Sequence, residues 1–338
     1  MTNASYFNPG RFALAESAMT HSYSDMSSLA MIIYAIGAAT ASILFVRFFR
    51  FVLLYVRSGS IDRFRHGSEP WALITGASDG IGLAFARELS KAGFNILLHG
   101  RNPEKLAGVK DQLSSTFPER NFKIVIANAS APNEEQQKSI EDITRDVRDL
   151  NVTVLVNNVG AVQIGGRKKF KTFQGHPVME IDGIVNMNDR FMTQLTHALL
   201  PQLTRNGPSL VMNIGSGTNI GYPYMSIYSA TKAYLETWTR SLHTEMAAEG
   251  VDVEVLGIIV NLVTGVSHQK YTPTFFTPDS AIMAQAALRR VGCGKPVVMG
   301  YIGHAIQKAA FDFMPHEIVI KLITGNMRQM MAEESKAQ

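Results

Sequence analysis

Short apolar runs alternate with helical stretches along the chain after Ser68. Several of these runs are apolar at nearly every position, as strands are when helices cover both faces of a sheet. The runs that predict strands are 71–76, 95–100, 122–127, 152–158, 209–215, 251–260 and 295–300. The stretches that predict helices include 83–93, 103–113 and 134–147. Because strands that alternate with helices join in parallel, the sequence predicts an α/β fold built on a doubly wound parallel sheet.

Composition narrows the class of protein and of site. The chain has 338 residues, 46% of them hydrophobic, which is enough for one large α/β domain with an appendage. The single cysteine, Cys293, excludes a disulfide framework and a cysteine-rich zinc site. The net charge of +4 is mild, and the one tight basic cluster, Arg167 to Lys171, is typical of a solvated loop. The isolated histidines His99, His268 and His304 are expected to be packed or surface residues. Neither nucleic acid nor a metal is therefore expected.

An uncharged stretch of 21 residues, Met26 to Val46, precedes the alternating region. As a helix it is about 31 Å long, close to the thickness of the hydrocarbon core of a bilayer. A cleaved signal peptide and a buried core helix are the alternatives. Arginines follow the run rather than precede it: Arg47, Arg50, Arg57, Arg63 and Arg65. This excess predicts a single-pass transmembrane helix in contact with membrane lipid, with its C-terminal side in the cytosol.

A glycine-rich turn, Thr75 to Gly82, lies between the first predicted strand and the first predicted helix. Glycines there let the backbone approach a pyrophosphate, and the helix N-terminus that follows offers N–H groups and a positive dipole end. The turn predicts a dinucleotide site in a Rossmann-type fold, with a purely structural turn as the alternative. The acid that holds an NAD ribose is absent, and Arg101 follows the second strand instead. Its planar guanidinium suits a 2′-phosphate, which favours NADP(H), while a loop-capping role is the alternative.

Candidate acid–base residues lie further along the chain. Tyr228 and Lys232 are four residues apart at the start of a predicted helix, so they share one face. A phenol acts as an acid or base near neutral pH when a nearby cation lowers its pKa, and the lysine supplies such a field. Ser216 ends the fifth strand, where ligands of open α/β sheets bind. The fourth strand ends at Asn157 to Gly160, where the cofactor is expected to lie along the backbone.

In these motifs the chain resembles the short-chain dehydrogenase/reductase family over roughly residues 70–300. The shared motifs are TGASDGIG, NNVG, a serine after strand five, and YSATK. The resemblance implies an oxidoreductase that uses NADP(H). The positions that it implies for the cofactor are Gly76, Ser78, Asp79, Gly80, Ile81, Gly82, Arg101, Asn128, Asn158, Gly160, Tyr228, Lys232, Val263 and Thr264.

The same resemblance implies a role for each catalytic residue. Tyr228 protonates the carbonyl oxygen as general acid, and Ser216 holds and polarises that oxygen. Lys232 binds the nicotinamide ribose and lowers the pKa of Tyr228. The asparagine that supports a proton relay in the family falls on Asn188 rather than Asn186, when counted back from the proline of the same helix.

A closer resemblance is to the membrane-bound very-long-chain 3-oxoacyl-CoA reductases, also called the 17β-hydroxysteroid dehydrogenase type 12-like group. The cues are the N-terminal membrane helix with GASDGIG, LVNNVG, IYSATKAYLETW, VDVEVL and LVTGVS. The group implies an endoplasmic reticulum membrane enzyme that faces the cytosol. It reduces the 3-keto group of a fatty acyl-CoA with NADPH in fatty-acid elongation. Members of the family often pair through helices four and five, so a homodimer stays open beside the monomer.

Two features depart from this pattern. Ser216 precedes Tyr228 by twelve residues where the family commonly has thirteen, which leaves Thr218 as the alternative hydroxyl. The C-terminal residues 334–338 lack the dilysine retrieval signal of many relatives. Because of these two departures, a different substrate class is the alternative: a polyketide, terpenoid or steroid ketone of a specialised pathway. A third hypothesis, a cofactor-binding scaffold without turnover, is disfavoured by the intact pair of Tyr228 and Lys232.

The segment Leu262 to Asp279 follows the sixth strand and is rich in Thr, Ser and Pro. Members of the family place their substrate loop here, and Tyr271, Phe275 and Phe276 suit an apolar substrate. A surface loop that covers the core is the alternative. The stretch 318–331 has mixed helical periodicity, more typical of a packed or interface helix than of one on a membrane surface.

These patterns divide the chain into four parts. Residues 1–25 show no periodicity and are expected to be mobile. Residues 26–57 form the membrane anchor, residues 68–302 the NADP(H)-binding domain, and residues 303–338 a C-terminal helical tail.

Overall fold

The structure is a computed structural model that describes residues 9–165, 168–266 and 272–336, with the backbone alone for residues 9–26. Two compact units make up the chain, Met1–Arg57 and Ser58–Gln338. The first unit contains helix α1, Pro9–Val56, of 48 residues. This helix begins well before Met26, because most residues of 11–19 are good helix formers and proline suits a first helical turn.

Helix α1 carries the uncharged run and continues beyond it. Its part Ser27–Val56 has 30 residues and contains an 18-residue window whose mean hydropathy is 2.2. Apolar side chains on this part, such as Ile33, Ile36 and Phe45, are each more than half exposed. By length and composition this part of α1 is a candidate membrane span.

A seven-stranded parallel sheet forms the centre of the second unit, in the order β3-β2-β1-β4-β5-β6-β7. The strands are β1 Pro70–Ile74, β2 Asn95–Gly100, β3 Phe122–Ile126, β4 Asn151–Asn157, β5 Ser209–Ser216, β6 Val253–Val260 and β7 Val297–Met299. All neighbouring pairs of strands are parallel. The prediction of a doubly wound parallel sheet is therefore confirmed.

Helices connect the strands and continue to the C-terminus. They are α2 Gly80–Lys91, α3 Pro103–Thr116, α4 Asn133–Val147, α5 Val178–Val185, α6 Phe191–Arg205, α7 Ser226–Ala248, α8 Ser280–Leu288, α9 Ile302–Asp312 and α10 His316–Lys336. Buried apolar residues of α4, α6 and α7 form one core cluster with the strands. Helices α2 and α3 also pack on strands of the sheet, and α2 contacts α8.

Side-chain caps fix where several helices begin. The Asp79 carboxylate accepts a hydrogen bond from the N–H of Gly80 at 2.7 Å, so α2 begins inside the glycine turn rather than at residue 83. The Asn102 side chain accepts from the N–H of Lys105 at 2.9 Å, with Pro103 in the first turn of α3. Because α2 starts so early, its N-terminus lies directly after β1.

Candidate active site

A cavity of about 630 Å³ opens at the carboxyl ends of β1, β4, β5 and β6. The turn after β1 contributes Gly76 and Gly80, the segment after β4 contributes Gly160, and Ser216 is the last residue of β5. The order of the strands reverses between β1 and β4, so the cavity lies at the topological switch point of the sheet. Open α/β sheets bind their ligands at such a point.

In the turn between β1 and α2, the backbone of Gly82 packs closely against the backbone of Gly76. Gly76 and Gly80 have φ angles of +68° and +56°, which are left-handed conformations that favour glycine. A Cβ on Gly82 would lie 2.2 Å from the carbonyl oxygen of Gly76, so this position has no room for a side chain. The turn therefore leaves bare backbone beside the cavity, where the helix N-terminus can receive a phosphate group.

Hydrogen bonds fasten the ends of β1 and β4 to each other. The Thr75 hydroxyl oxygen accepts from the backbone N–H groups of Asn158 and Val159 at 2.8 and 3.0 Å. The side-chain amide of Asn158 donates to the carbonyl oxygen of Thr75 at 2.9 Å. On the side of β2, the N–H of Gly76 donates to Nδ1 of His99 at 3.3 Å. Burial lowers the pKa of His99 to about 4, so this histidine is a neutral packing residue.

Gly160 continues the bare backbone surface from β4 toward α7. A Cβ at this position would meet Oδ1 of Asn188 at 3.1 Å and Nζ of Lys232 at 3.3 Å. Gly160, like Gly76 and Gly80 in the turn, therefore leaves backbone accessible from the cavity. Such a surface fits an extended dinucleotide, because its pyrophosphate needs close backbone approach and its ribose needs a hydrogen-bonding side chain.

Nine of the predicted cofactor positions line the cavity: Gly76, Asp79, Gly80, Ile81, Asn158, Gly160, Tyr228, Lys232 and Val263. The other five do not line the cavity. Gly82 is buried against the carbonyl oxygen of Gly76, Ser78 is half-buried and Thr264 is buried. Arg101 is exposed directly after β2, and the Asn128 side chain accepts hydrogen bonds within its own loop.

Tyr228 and Lys232 project from the first turns of α7 into the same cavity. Nζ of Lys232 lies 5.6 Å from the centroid of the Tyr228 ring and donates to the carbonyl oxygen of Ile214 at 3.1 Å. Burial raises the pKa of Tyr228 above its ordinary value, and a hydrogen bond with Ser216 opposes that rise. The sequence predicts that the lysine lowers the pKa of Tyr228, but the effect of burial is larger and the pKa rises. Burial disfavours both charged groups, because it also lowers the pKa of Lys232 to about 8.

The short segment between β5 and α7 keeps Ser216 beside Tyr228. A single 3₁₀ turn, Gly217–Ile220, follows the strand, and Tyr224 adopts a φ of +65°. The Thr218 hydroxyl donates to Oγ of Ser216 at 3.0 Å, and the N–H of Thr218 donates to the same oxygen at 3.3 Å. Ser216 therefore lies close enough to Tyr228 to affect the pKa of the phenol, and Thr218 is bonded to Ser216, although the segment is one residue short.

Asn188 lies in a π-helical segment, Asn186–Arg190, that joins α5 to α6. Its Oδ1 accepts from the N–H of Ala161 at 2.9 Å, and its Nδ2 donates to Ala161 O at 3.0 Å and to Oγ1 of Thr231 at 3.1 Å. Asn186 instead donates to the carbonyl oxygen of Ala131 at 3.0 Å. Of the two candidates, the structure brings Asn188 to the lysine. Single π-helical turns are frequent at functional sites.

Comparison with known proteins decides the family. The model of the short chain dehydrogenase family matches residues 70–270. The chain belongs to the short chain dehydrogenase family. A very-long-chain 3-oxoacyl-CoA reductase of Caenorhabditis elegans is 32% identical over 296 residues, which cover 86% of this chain and 90% of that protein. The reductase of the same name from Coprinopsis cinerea is 34% identical, and the match covers 70% of this chain and 67% of that protein.

Solved structures show the same fold at lower identity. A 7β-hydroxysteroid dehydrogenase has a TM-score of 0.65 and 21% identity, covering 77% of this chain and 99% of that chain. A ketone-specific alcohol dehydrogenase of Comamonas testosteroni has a TM-score of 0.59 and 22% identity, covering 73% and 92%. As a short chain dehydrogenase, the protein is an oxidoreductase that acts between an alcohol and a carbonyl and uses a nicotinamide cofactor.

One partly buried carboxylate near Lys232, that of Asp189, belongs to none of the motifs found in the sequence of this short chain dehydrogenase. Asp189 follows Asn188, and its Oδ1 is buried without a hydrogen bond from the residues that the structure describes. Burial raises the pKa of Asp189 to about 7, although the charge of Lys232 lowers it. The carboxylate in turn raises the pKa of Lys232 against the effect of burial. A lone aspartate inside an apolar helix carries no sequence signal of this coupling.

The predicted substrate loop contributes only in part to the cavity. Leu262 and Thr277 line it, whereas Phe275 and Phe276 are exposed and pack against each other with ring centroids 5.1 Å apart. Tyr271 and His268 lie outside the described residues. Burial lowers the pKa of His304 to about 4, so it is a packing residue.

The basic cluster is less solvated than the sequence predicts. Arg167 lies outside the described residues, Lys168 is exposed, and Lys169 lines the cavity. Nζ of Lys171 donates to both carboxylate oxygens of Glu180, at 2.9 and 2.6 Å, and this carboxylate is almost fully buried. The pKa of Glu180 is lowered by these contacts. The prediction of a solvated loop is therefore wrong at Lys171, because its ammonium pairs with a buried carboxylate on α5, nine residues further along the chain.

Proposed function

We propose that this protein is an NADPH-dependent ketone reductase whose substrate is a 3-oxoacyl-CoA of very-long-chain fatty-acid elongation. The observation that carries the reaction class is that Ser216, Tyr228 and Lys232 line one cavity together with the glycine turn. The names of the relatives that match most of the chain support the substrate class.

When bound, the reduced nicotinamide supplies a hydride to the carbonyl carbon of the substrate. The O–H groups of Tyr228 and Ser216 donate to the carbonyl oxygen, which gains negative charge as the reaction proceeds. Tyr228 then gives its proton to that oxygen as general acid. Because burial raises its pKa, the phenol is protonated at rest, and the acid is ready before the substrate arrives.

The phenolate that remains after proton transfer is buried, so it needs a stabilising charge. Lys232 supplies it, since its ammonium lies 5.6 Å from the ring centroid and is held by the carbonyl oxygen of Ile214. Asn188 holds the backbone of Ala161 and the hydroxyl of Thr231, the residue before the lysine, and so acts as a positioning residue.

NADPH is preferred over NADH in this proposal because of the loop after β2. The expected ribose-binding acid is missing there, and Arg101 follows the strand with an exposed side chain. An exposed guanidinium is free to turn toward a 2′-phosphate and form paired hydrogen bonds with it. Gly76, Gly80, Asn158 and Lys232 would hold the rest of the cofactor.

The protein is proposed to act at the cytosolic face of the endoplasmic reticulum membrane. Residues 26–57 form its single-pass anchor, supported by the candidate span Ser27–Val56 and by the arginines that follow the uncharged run. Residues 68–302 form the catalytic domain and residues 303–338 a helical tail. An apolar substrate that partitions into membranes is consistent with an anchored enzyme.

A substrate panel tests this function. The full-length protein in detergent is given NADPH and either very-long-chain 3-oxoacyl-CoAs or steroid, terpenoid and polyketide ketones, and the loss of NADPH absorbance is followed. Higher kcat/KM for the 3-oxoacyl-CoAs is the expected result. Turnover confined to the other ketones would overturn the proposed substrate class while keeping the reaction class.

A further inference from the structure

The cavity extends beyond the dinucleotide surface into an apolar pocket. Its walls here come from Phe170 in the segment after β4, Met225 before α7, Phe311 on α9, and Met327 and Met330 on α10. Met225 and Met327 form a hydrophobic cluster with Val319 and Ile323, separate from the main core. The other three wall residues and Tyr228 pack against this cluster. The group next to a carbonyl that reacts at Tyr228 therefore faces this pocket.

Helix α10 lies outside the segment that matches the family, and two kinds of contact hold it in place. Val319, Ile323 and Met327 recur every four residues and are buried on one face. Near its end, the Glu334 carboxylate accepts hydrogen bonds from the backbone N–H groups of Lys169 and Phe170, at 2.7 and 3.3 Å. A charged acceptor on two adjacent backbone donors is a strong pairing, so α10 and the loop 168–171 form one wall.

The loop 168–171 is also tied from its other side. The N–H of Lys171 donates to the carbonyl oxygen of Tyr224 at 3.2 Å, and its ammonium is paired with Glu180. Phe170 is thus fixed between Glu334 and these contacts, with its ring on the cluster that contains Met327. The pocket is built before any substrate arrives.

We propose that α10 and the loop 168–171 form the subsite for the hydrocarbon chain of the substrate, and that Met330 sets the chain length accepted. This inference rests on the proposed function. Methionine side chains are unbranched and adapt to a flexible chain, and the pocket opens directly from Tyr228. A straight acyl chain fits such a wall, because each methylene that it buries adds favourable transfer free energy.

Substitution of Met330 tests the subsite through chain length. Met330 is half-buried and lines the cavity, so Met330→Trp fills the pocket with little damage to the cluster beneath. We expect kcat/KM for very-long-chain 3-oxoacyl-CoAs to fall about tenfold or more, with less than about twofold change for short-chain ones. Arg328→Trp is the matched control, since Arg328 is exposed on the same helix. Equal losses for short and long chains would overturn the subsite.

Glu334→Ala tests the connection between helix and loop. Loss of the carboxylate frees the N–H groups of Lys169 and Phe170, so KM for long chains is expected to rise several-fold while kcat for short chains stays near wild type. Glu333→Ala, at an exposed neighbouring carboxylate, is the control. An unchanged preference for chain length in Glu334→Ala would contradict the role of this contact.

Photolabelling separates failure of the subsite from failure of the proposed function. A fatty acyl-CoA with a photoreactive group at the chain end is irradiated with the full-length protein, and labelled residues are mapped by mass spectrometry. Label on Phe170, Met327 or Met330 supports the subsite even if no 3-oxoacyl-CoA is reduced, an outcome that overturns only the proposed function. Label confined to other segments overturns the subsite even when turnover is robust.

Discussion

The hydroxyl of Thr218 donates a hydrogen bond to Oγ of Ser216 at 3.0 Å, and Ser216 also interacts with the phenol of Tyr228. The three hydroxyl groups therefore form a chain in which Ser216 is the middle member. Ser216 is the last residue of β5, and the 3₁₀ turn Gly217–Ile220 follows it directly. Within this segment of twelve residues Ser216, rather than Thr218, is the hydroxyl that interacts with Tyr228.

The order of these hydroxyls predicts unequal effects of their removal. Ser216→Ala is expected to lower kcat about 10²–10³-fold, because it removes a donor to the developing oxyanion. Thr218→Val removes only a support of Ser216 and is expected to cost about 1 kcal/mol, or about fivefold in kcat. Steady-state kinetics with one ketone decide the matter. A larger loss in Thr218→Val than in Ser216→Ala would make Thr218 the catalytic hydroxyl.

The close packing of the glycine turn predicts that one added methyl group at Gly82 lowers the stability of the protein. In Gly82→Ala the new Cβ would meet the carbonyl oxygen of Gly76 at 2.2 Å, so either the turn or α2 must shift. We expect the free energy of unfolding to fall by more than about 2 kcal/mol and NADPH binding to weaken. Gly108→Ala is the control, since its Cβ meets nothing within 4 Å and alanine stabilises an exposed helix by about 0.5–1 kcal/mol. Equal stability of the two variants would contradict the close packing of the turn.

The proposed contact between Arg101 and the 2′-phosphate predicts which reduced cofactor loses affinity when Arg101 is replaced. Because its guanidinium is proposed to pair with the 2′-phosphate, Arg101→Ala is expected to raise the Kd of NADPH about tenfold or more and to leave that of NADH unchanged. Fluorescence titration of both reduced cofactors measures this. Arg148→Ala, at another exposed arginine, is the control. Equal increases in the Kd of NADPH and NADH would show that Arg101 does not bind the 2′-phosphate.

Asp189 predicts a change in the pH profile. Its carboxylate raises the pKa of Lys232, which burial lowers to about 8. Asp189→Asn removes this negative charge, so the pKa of Lys232 falls further and the ammonium is lost at lower pH. We expect the alkaline limb of kcat/KM to move down by roughly half a pH unit. Asp182→Asn, at an exposed carboxylate on α5, serves as the control, and a shift to higher pH in Asp189→Asn would contradict the coupling.

Local patterns in the sequence account for the sheet and for much of the candidate site. Apolar runs predict each strand to within a few residues, because a strand buried on both faces needs apolar residues throughout. Tyr228 and Lys232 share a helical face, and the glycines of the turn, Gly76, Gly80 and Gly82, fall within seven residues of the chain. These relationships span only a few residues, so spacing alone reveals them.

Contacts between distant segments could not be predicted in the same way. Met330 meets the cavity only because α10 folds back over the segment after β4. Lys171 is half-buried because it pairs with the buried carboxylate of Glu180 on α5. The raised pKa of Asp189 depends on burial, which a single polar residue does not reveal. For the same reason the pKa of Tyr228 was expected to fall, whereas burial of the phenol raises it.

The single most direct test is the reduction of a 3-oxoacyl-CoA by Tyr228→Phe, with NADPH binding measured on the same preparation. The phenylalanine keeps the ring beside Lys232 and removes only the hydroxyl that is proposed to donate the proton. If Tyr228 is the general acid, kcat falls at least about 10²-fold while the Kd of NADPH changes less than about threefold. Turnover by Tyr228→Phe at the wild-type rate would contradict the proposed mechanism.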